Sequence, residues 1–353
     1  MAAEGVFPKS AGDIGYASEI NHVYSGTRFV PMYWVNTSMR NVLMHTTTAW
    51  SIANGAGSWI TSDGGANWTE ASVDNAAMTG ATVRCEGTRA NAISFDHDAL
   101  DGYITSDSGD NWAQISTPPA ATTKIHDVSF PTTGVAVCAC DLGAAARGIF
   151  RSTDQGDTWT ICTTGPAADV WTIDMYDATY GFAADSAGNV WYTTDGGDNW
   201  TDTTFGVTHR TDNHIKAISS TEYVFVTGNN GGPSTALSVG YGTNLVAISE
   251  KLNLGTGTIY TTNFVLTDTG YIYFATFTNN EDSSVRNYST ATLYRSIDSG
   301  QNWQVGRSVT VSLDTDLQLF FARSLLAEHS GVILLGGGNA TMLKFDERYD
   351  GAV

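Results

Sequence analysis

Five copies of one eight-residue phrase divide this 353-residue chain into units of similar length. The phrase reads Ser/Thr, any residue, Asp, any residue, Gly, two residues, Trp, and we call each copy a box. The boxes are TSDGGANW at 61–68, TSDSGDNW at 105–112, STDQGDTW at 152–159, TTDGGDNW at 193–200 and SIDSGQNW at 296–303. Such repeats are typical of folds in which no unit buries its apolar surface alone. The boxes therefore predict an array of small, similar units.

The spacing of the boxes predicts one further, decayed copy. The first four boxes lie about 45 residues apart, and the gap before the fifth is about twice as long. Within that gap, SVGYGTNL at 238–245 keeps the Ser, the Gly and their spacing, with Gly240 in place of Asp and Leu245 in place of Trp. We interpret 238–245 as the decayed copy, which makes six repeats.

The residue types of the box suit a β-hairpin turn. An Asp carboxylate accepts hydrogen bonds from backbone amides within a turn, and Gly adopts backbone angles that side chains disfavour. A Trp at the start of the return strand buries a large apolar ring. We therefore interpret the following as structural residues rather than catalysts or metal ligands: Asp63, Gly65, Trp68, Asp107, Gly109, Trp112, Asp154, Gly156, Trp159, Asp195, Gly197, Trp200, Asp298, Gly300 and Trp303.

Short apolar or alternating runs between turn residues predict four strands in each unit and no long helices. The fold expected is an all-β propeller of seven four-stranded blades, with six blades as the alternative. The segment INHVYSG at 20–26 is expected to complete the last blade, because propellers close by joining the two chain ends in one sheet. This divides the chain into an extended arm at 1–19 and a propeller at 20–353.

The boxes resemble the Asp-box, or bacterial-neuraminidase repeat, of β-propeller proteins. All five copies match that motif at each defining position, and the resemblance covers about residues 28–348. It implies that each box joins the third and fourth strands of a blade, away from any active centre. Sialidases, other glycosidases, sorting receptors, photosystem-assembly factors and viral tail proteins share the motif, so it indicates a fold and leaves function open.

Composition excludes several classes of partner. The formal net charge is −19, and a surface of this sign repels phosphate backbones and anionic membranes. We expect neither nucleic-acid binding nor membrane insertion, since no apolar run is long enough to span a bilayer. The start, MAAEGVFPKS, lacks a basic segment and an apolar core, so we expect no secretory signal and production in a cytoplasm. The four cysteines are expected to be reduced.

The N-terminal arm carries the strongest hint of a biological setting. AGDIGYASEIN at 11–21 resembles a phrase, G-D-x-x-x-A-S-x-x-N, that precedes the exposed domain of many tailed-phage fibre and baseplate proteins. The resemblance implies that residues 1–27 join other tail subunits and that the propeller faces outward. An ordinary N-terminal arm is the alternative.

An enzyme of the same fold has to be considered. The sialidase family needs three arginines, a Tyr–Glu pair and an Asp, and its first arginine lies in an Arg-Ile-Pro phrase. Here Arg28 is separated from Pro31 by one residue more, which places its side chain on the other face of a strand. The chain also has no His-Glu-x-x-His phrase, no Gly-x-Ser-x-Gly elbow and no phosphate-binding loop. The sequence therefore favours a protein without catalytic activity.

Two further groups of residues are candidates for binding. Asp96, Asp98 and Asp101 share one loop and could hold Ca²⁺ through oxygen ligands, although their spacing is not that of an EF-hand. A solvated loop is the alternative, and we expect no metal or other cofactor. Aromatic rings outside the boxes could stack on sugars or pack between blades, namely those of Tyr33, Trp34, Trp50 and Trp171.

The sequence as a whole favours a non-enzymatic structural or receptor-binding propeller in the tail of a virus particle. Its expected partners are other virion subunits, bound through residues 1–27, and a host surface glycan or receptor. It is expected to form a homo-oligomer within that assembly. A glycosidase or sialidase of the same fold is the first alternative, and an assembly-factor propeller is the second.

Overall fold

The structure is a computed structural model, and it describes the chain in segments. The described residues are 27–29, 39–44, 46, 50–54, 57–64, 67, 69–70, 82–85, 91–95, 102–120, 124–132, 134–206, 214–228, 237–247, 249–255, 259–282, 286–313, 326–336 and 342–346. Side chains are described for most of these residues, and most fully between 102 and 206.

The described secondary structure consists of 29 strands. The first thirteen are β1 Thr27–Phe29, β2 Met39–Met44, β3 Trp50–Asn54, β4 Gly57–Thr61, β5 Thr69–Glu70, β6 Thr82–Cys85, β7 Ala92–Phe95, β8 Gly102–Thr105, β9 Ala113–Gln114, β10 Ile125–Thr132, β11 Val135–Cys140, β12 Ile149–Ser152 and β13 Thr160–Ile161. The next eight are β14 Val170–Met175, β15 Gly181–Asp185, β16 Asn189–Thr193, β17 Trp200–Gly206, β18 Ile215–Ala217, β19 Glu222–Gly228, β20 Leu237–Thr243 and β21 Ser249–Gly255. The last eight are β22 Ile259–Thr261, β23 Val265–Leu266, β24 Ile272–Asp282, β25 Arg286–Ser296, β26 Gln304–Leu313, β27 Leu326–His329, β28 Val332–Gly336 and β29 Met342–Asp346.

The described strands form seven antiparallel sheets, and in five of them the strands are paired in chain order. Five sheets are β2–β5, β6–β9, β10–β13, β14–β17 and β18–β21, the sixth combines β22 to β26, and the seventh has the order β1-β29-β28-β27. First strands of neighbouring sheets contact one another, as β2 contacts β6 and β27, and β10 contacts β6 and β14. First strands therefore lie innermost, and the all-β propeller expected from the sequence is confirmed.

The seventh sheet joins the two ends of the chain. β1 pairs with β29, so that Thr27 lies opposite Phe345 and Phe29 opposite Leu343. The segment 20–26, expected to make this closure, lies outside the described residues, as does the arm at 1–19. The strand that the structure describes at this edge comes directly after that segment.

The decayed copy of the box was placed wrongly from the sequence. Ser238 and Gly240 lie in the middle of β20, where they pair with β19 on one side and β21 on the other. The turn begins at Thr243, whose hydroxyl accepts hydrogen bonds from the amides of Leu245 (3.1 Å) and Val246 (2.9 Å). The Ser-to-Gly spacing at 238–242 matched the box by chance, because both residues belong to a regular strand.

The core consists of apolar layers between successive sheets. One layer joins Ile93 and Phe95 of the second sheet to Val128, Cys138 and Trp159 of the third. Equivalent layers join the third sheet to the fourth, the fourth to the fifth and the fifth to the sixth. The third and fourth sheets each bury both of their faces, so almost every residue of their second strands, β11 and β15, is buried.

Cysteines contribute to these layers as small apolar residues. Cys138, Cys140 and Cys162 are free and buried, and the Sγ atoms of Cys138 and Cys140 lie 3.5 Å apart on one face of β11. Burial raises the pKa of Cys138, and it raises the pKa of Cys162 to about 11. The thiols of Cys138 and Cys162 are therefore protonated at neutral pH, which disfavours their reaction as thiolates.

Candidate functional site

The boxes form one end of the propeller, and their aspartates are enclosed by turn hydrogen bonds. In the second box the hydroxyl of Thr105 donates to Oδ1 of Asp107 (2.8 Å), and the amide of Asn111 donates to the same oxygen (2.9 Å). The same two bonds occur at Asp63, Asp154, Asp195 and Asp298, with distances between 2.8 and 3.0 Å. Oxygens used in this way hold a turn in shape.

The structure adds a box position that sequence reasoning missed. The residue before the Trp is Asn in four boxes and Thr in the third, and its side chain donates to the second carboxylate oxygen of the Asp. These bonds are 2.7 Å at Asn67 and Asn111, 2.5 Å at Thr158, 2.8 Å at Asn199 and 2.6 Å at Asn302. The recurrence of Asn at this position was the available signal.

Two successive left-handed residues make the turn compact in the four boxes whose Gly is described. The residue before the box Gly has a positive φ in all five boxes, between 58° at Ser299 and 74° at Gly64. The box glycines Gly109, Gly156, Gly197 and Gly300 follow with φ between 85° and 91°. Gly65 and Trp68 of the first box lie outside the described residues. Only Gly adopts such angles at little cost, which accounts for its place in the motif.

Three of the boxes are also seen to pack against the preceding sheet. A Cβ added to Gly156 would lie 2.6 Å from Ile93 Cδ1, one at Gly197 would lie 2.5 Å from Val137 Cγ1, and one at Gly300 would lie 2.3 Å from Val224 Cγ1. In each pair the apolar partner belongs to the second strand of the sheet before. The box glycine is therefore required twice, by its backbone angle and by close packing.

Hydrogen bonds tie the box to the outer edge of the same neighbour. The amide of Thr117, after β9, donates to the carbonyl of Asp157 (3.0 Å), and the amide of Trp159 donates to the carbonyl of Thr117 (2.9 Å). The next pair of sheets repeats this arrangement, because the amide of Trp200 donates to the carbonyl of Thr164 (3.0 Å). The rings of Trp112, Trp159 and Trp200 are buried.

The box hydrogen bonds lower the pKa of the carboxyl groups. At Asp107, Asp154 and Asp195 burial raises the pKa, but the hydrogen bonds from the Ser/Thr and from the residue four positions later outweigh it. At Asp298 the side-chain bond from Asn302 is the largest influence, and it lowers the pKa. These carboxylates are therefore ionised in the folded protein at any pH above about 4.

This shift predicts loss of stability in acid. Since the folded-state pKa values lie below those of the unfolded chain, the unfolded chain takes up protons first as the pH falls. The stability that the ionised box carboxylates contribute is complete above about pH 4. It is lost as the pH falls through their folded-state pKa values. We expect the melting temperature of Asp298→Asn to vary less with pH in this range than that of the wild type. Parallel curves in thermal melts would contradict the assignment.

The Ca²⁺ and sialidase candidates expected from the sequence lie outside what the structure describes. The loop with Asp96, Asp98 and Asp101 lies outside the described residues, as does the side chain of Arg28. Among the residues whose placement is described, no group of three or more His, Cys, Asp or Glu side chains could hold a metal ion. No helix in that same part of the chain is long and apolar enough to cross a membrane.

The inner strands carry buried polar side chains that join one sheet to the next. Asp127 accepts hydrogen bonds from the hydroxyl of Thr172 (3.1 Å) and the amide of Ile173 (3.0 Å) in the following sheet. Thr172 in turn accepts from the amide of Ile215 (3.1 Å), one sheet further on. Polar side chains at the same strand position therefore bond three successive sheets around the axis.

An ion pair belongs to this inner layer. Lys216 Nζ lies 2.9 Å from Oδ2 of Asp174, and the side chains are 14% and 0% exposed. The carboxylate also accepts the amide of Ala217 (2.9 Å) and the hydroxyl of Ser129 (3.5 Å). Every oxygen of this buried carboxylate therefore has a bond within the fold, which suits a structural role.

At the end opposite the boxes, two neighbouring inner strands carry a bulge at the same position. We call this end, where first strands begin and second strands turn into third strands, the mouth face. In β10 the register passes from Ile125 opposite Cys140 to Asp127 opposite Ala139, which leaves His126 as the extra residue. In β14 the same shift leaves Trp171 as the extra residue, and in β2 it leaves Arg40. Bulges redirect side chains and are frequent beside binding sites.

The two described bulge side chains meet across the boundary between the third and fourth sheets. The rings of His126 and Trp171 have centroids 4.2 Å apart, with planes inclined at 41°. His126 Nε2 lies 2.5 Å from Oδ1 of Asp141, which is 20% exposed. The ring of Trp171 is partly exposed, and its indole N–H has no hydrogen-bond partner in the structure as described. We call Asp141, His126 and Trp171 the mouth cluster.

A backbone frame fixes the mouth cluster. The amide of Asp141 donates to the carbonyl of Lys124 (3.0 Å), and the amide of Leu142 donates to Oδ1 of Asp169 (2.7 Å). Asp169 precedes β14, so this bond holds the turn at 141–148 of the third sheet against the fourth. Gly143, Ala144 and Ala146 in that turn are small and exposed.

Sequence reasoning identified Trp171 as an aromatic candidate but did not single out His126 or Asp141. His126 and Trp171 are separated by one repeat length, so they occupy the same position in successive units. That equivalence was the available signal. It could not reveal the bulge, because the bulge depends on the register with β11 and β15.

No protein-family model matches the chain, and no curated protein matches its sequence. Solved structures do match. YCF48 bound to a D1 peptide is similar with a TM-score of 0.59 and 14% identity, over 92% of this chain and 96% of that one. The WD40 β-propeller domain of Doa1 is similar with a TM-score of 0.59 and 10% identity, over 92% and 98%.

An enzyme is also among the similar structures. The GH74 xyloglucanase from Xanthomonas campestris has a TM-score of 0.54 and 13% identity, and the match covers 88% of this chain and 43% of the enzyme. All these identities are low, so the similarity establishes the propeller fold and does not distinguish an enzyme from a binding protein.

Proposed function

We propose that this protein is a non-enzymatic binding propeller in the tail of a virus particle, made in the host cytoplasm and presenting its mouth face to a host surface glycan or receptor. The observation that carries the binding role is the mouth cluster, where two neighbouring bulges direct His126 and Trp171 to one place. A site built from a partly exposed ring and a polar pair suits recognition of a ligand.

The use of the carboxylates supports a role without catalysis. Asp127 and Asp174 bond neighbouring inner strands, and Asp185 accepts four hydrogen bonds within the turn between β15 and β16. The box aspartates are held in turns at the opposite end. A glycosidase needs two carboxyl groups that flank its substrate, and these groups serve the fold.

The placement in a virion rests on the sequence of the arm. The phrase at 11–21 is similar to those of tailed-phage fibre and baseplate proteins, and the repeats are similar to Asp-boxes, which viral tail proteins also carry. In this proposal residues 1–27 join other tail subunits, and copies of the chain assemble as a homo-oligomer. The net charge of −19 fits a protein that has no nucleic-acid or membrane partner.

Labelling of purified particles tests the virion proposal. An antibody against the propeller, detected with gold in negative-stain micrographs, is expected to mark the tail tip or fibres. Particles from a strain with the gene deleted are the control. Purified virions that carry no label, while the cell lysate contains the protein, would contradict the proposal.

An enzyme of this fold remains the competing function, and the GH74 similarity is the observation that favours it. Release of reducing sugar from xyloglucan or host polysaccharide, or hydrolysis of fluorogenic sialosides, would support it if the activity is lost in Arg28→Ala. An assembly factor is the second alternative. The similarity to YCF48 bound to a D1 peptide favours it, and capture of a host peptide by the purified chain would support it.

A further inference from the structure

We propose that the mouth cluster is a subsite for a neutral pyranose, with the sugar ring stacked on Trp171 and a hydroxyl group donating to Asp141. This inference rests on the proposed function and specifies the ligand class of the same face. It follows from the two bulges, from the contact between their side chains, and from the charge beside them.

The first step is that the backbone has been altered to present these two residues. Trp171 is the extra residue of a bulge. A strand without the extra residue would pair with β15 just as well, so pairing alone does not require it. The same alteration occurs one repeat earlier at His126. The same shift occurs a third time in β2, where it leaves Arg40 as the extra residue. Bulges redirect side chains and are frequent beside binding sites, so a bulged residue with a partly exposed ring indicates a local role.

The second step is the chemistry of the cluster. One face of a pyranose is made of C–H groups, and it packs on an indole ring as other apolar surfaces do. The hydroxyl groups around its edge need acceptors, and a carboxylate gives a strong, charge-assisted hydrogen bond. Trp171 provides a partly exposed ring, and Asp141 provides a partly exposed carboxylate whose orientation is fixed by His126.

The third step is the unsatisfied donor. The indole Nε1 of Trp171 is buried and has no hydrogen-bond partner within the described residues. Buried donors of this kind are uncommon, and this one calls for a partner that the described part of the protein does not supply. A bound sugar that rotates the indole ring slightly would bring one of its hydroxyl oxygens within reach as an acceptor for this N–H group.

The fourth step is the sign of the charge. Asp141 and Asp169 are both partly exposed at this place, and the whole chain carries a charge of −19. The described cations of the same segments are Lys124, which is exposed, and Arg147, which donates to the carbonyl of Cys162 (3.3 Å). Carboxylates in a site repel an anionic ligand. The subsite is therefore expected to take glucose-, galactose-, mannose- or N-acetylglucosamine-type rings and to reject N-acetylneuraminic acid.

Saturation-transfer NMR on the full chain tests the inference. The probes are the methyl glycosides of glucose, galactose, mannose, N-acetylglucosamine and N-acetylneuraminic acid at millimolar concentration. At least one neutral glycoside is expected to bind, and Trp171→Ala is expected to raise its dissociation constant about tenfold or more. Asp141→Asn keeps the size of the side chain and is expected to weaken the same glycoside.

The matched control is Tyr176→Ala. Tyr176 is an exposed aromatic residue, 46% exposed, that follows β14 at its other end, on the face that carries the boxes. Its removal is expected to leave the affinity unchanged. Thermal melts of each variant show whether it is folded, and Asp141→Asn keeps the test decisive if Trp171→Ala fails to fold.

Three outcomes would overturn the inference: no glycoside binds the wild type, binding persists unchanged in the folded Trp171→Ala and Asp141→Asn variants, or N-acetylneuraminic acid binds more tightly than every neutral sugar. These outcomes are separate from the virion test. Labelled tails with no glycoside binding would reject only the sugar subsite. Glycoside binding by a protein that is absent from virions would reject only the tail assignment.

Discussion

Gly300→Ala is expected to destabilise the folded protein by about 2–5 kcal/mol, although it adds a single methyl group. Two costs combine at this position. The backbone angle φ is +85°, where an L side chain is strained. In addition, the new Cβ would lie 2.3 Å from Val224 Cγ1, inside a buried layer that cannot open freely. Guanidinium unfolding monitored by tryptophan fluorescence measures the loss.

Gly270→Ala separates the two costs. Gly270 has a φ of +82°, and nothing lies within 4 Å of a Cβ built on it. Its replacement is expected to cost only the backbone strain, about 1–2 kcal/mol. An equal loss of stability in the two variants would contradict the claim that the box glycine of the sixth sheet is packed against the fifth.

Lys216→Met is expected to cost about 3–5 kcal/mol, because it leaves the carboxylate of Asp174 buried without its cation. Asp174 is 0% exposed, and Lys216 Nζ is 2.9 Å from it. The double variant Lys216→Met/Asp174→Asn removes the uncompensated charge while keeping an oxygen that accepts the amide of Ala217. It is expected to be more stable than Lys216→Met alone.

Lys251→Met is the matched control for the loss of a lysine. Lys251 lies over the ring of Tyr241, 5.6 Å from its centroid, in the outer strand β21, which carries exposed residues. Its replacement is expected to change the stability by less than about 1 kcal/mol. A small effect of Lys216→Met, similar to that of the control, would contradict a buried ion pair in the inner layer.

The boxes could be located from the sequence because each is determined locally. A turn of Ser/Thr, Asp, Gly and Trp closes through bonds among its own residues, so its geometry does not depend on the rest of the chain. The contact of the box with the preceding sheet could not be predicted. Val224 lies about 75 residues before Gly300 in the chain, and neither local sequence indicates which residue it will contact.

The mouth cluster shows the same limit more clearly. The direction of the His126 and Trp171 side chains depends on one extra residue in each first strand, which shifts its pairing with the second strand. A single-residue slip changes the face on which a side chain lies, and a strand read alone does not reveal it. The error at 238–245 has a related cause. Residue types that match the box motif were assigned to a turn, but most of them lie within the strand β20.

The central claim is that each box attaches its blade to the preceding one, and the double-mutant cycle of Gly300→Ala and Val224→Ala tests it most directly. Val224→Ala alone is expected to cost about 1–3 kcal/mol, as loss of buried methyl groups does. Val224→Ala also removes the Cγ1 atom that the new Cβ of Gly300→Ala would meet. The loss of stability in the double variant is therefore predicted to be smaller, by at least about 1 kcal/mol, than the sum of the losses in the two single variants. Additive losses, with no recovery in the double variant, would contradict the claim.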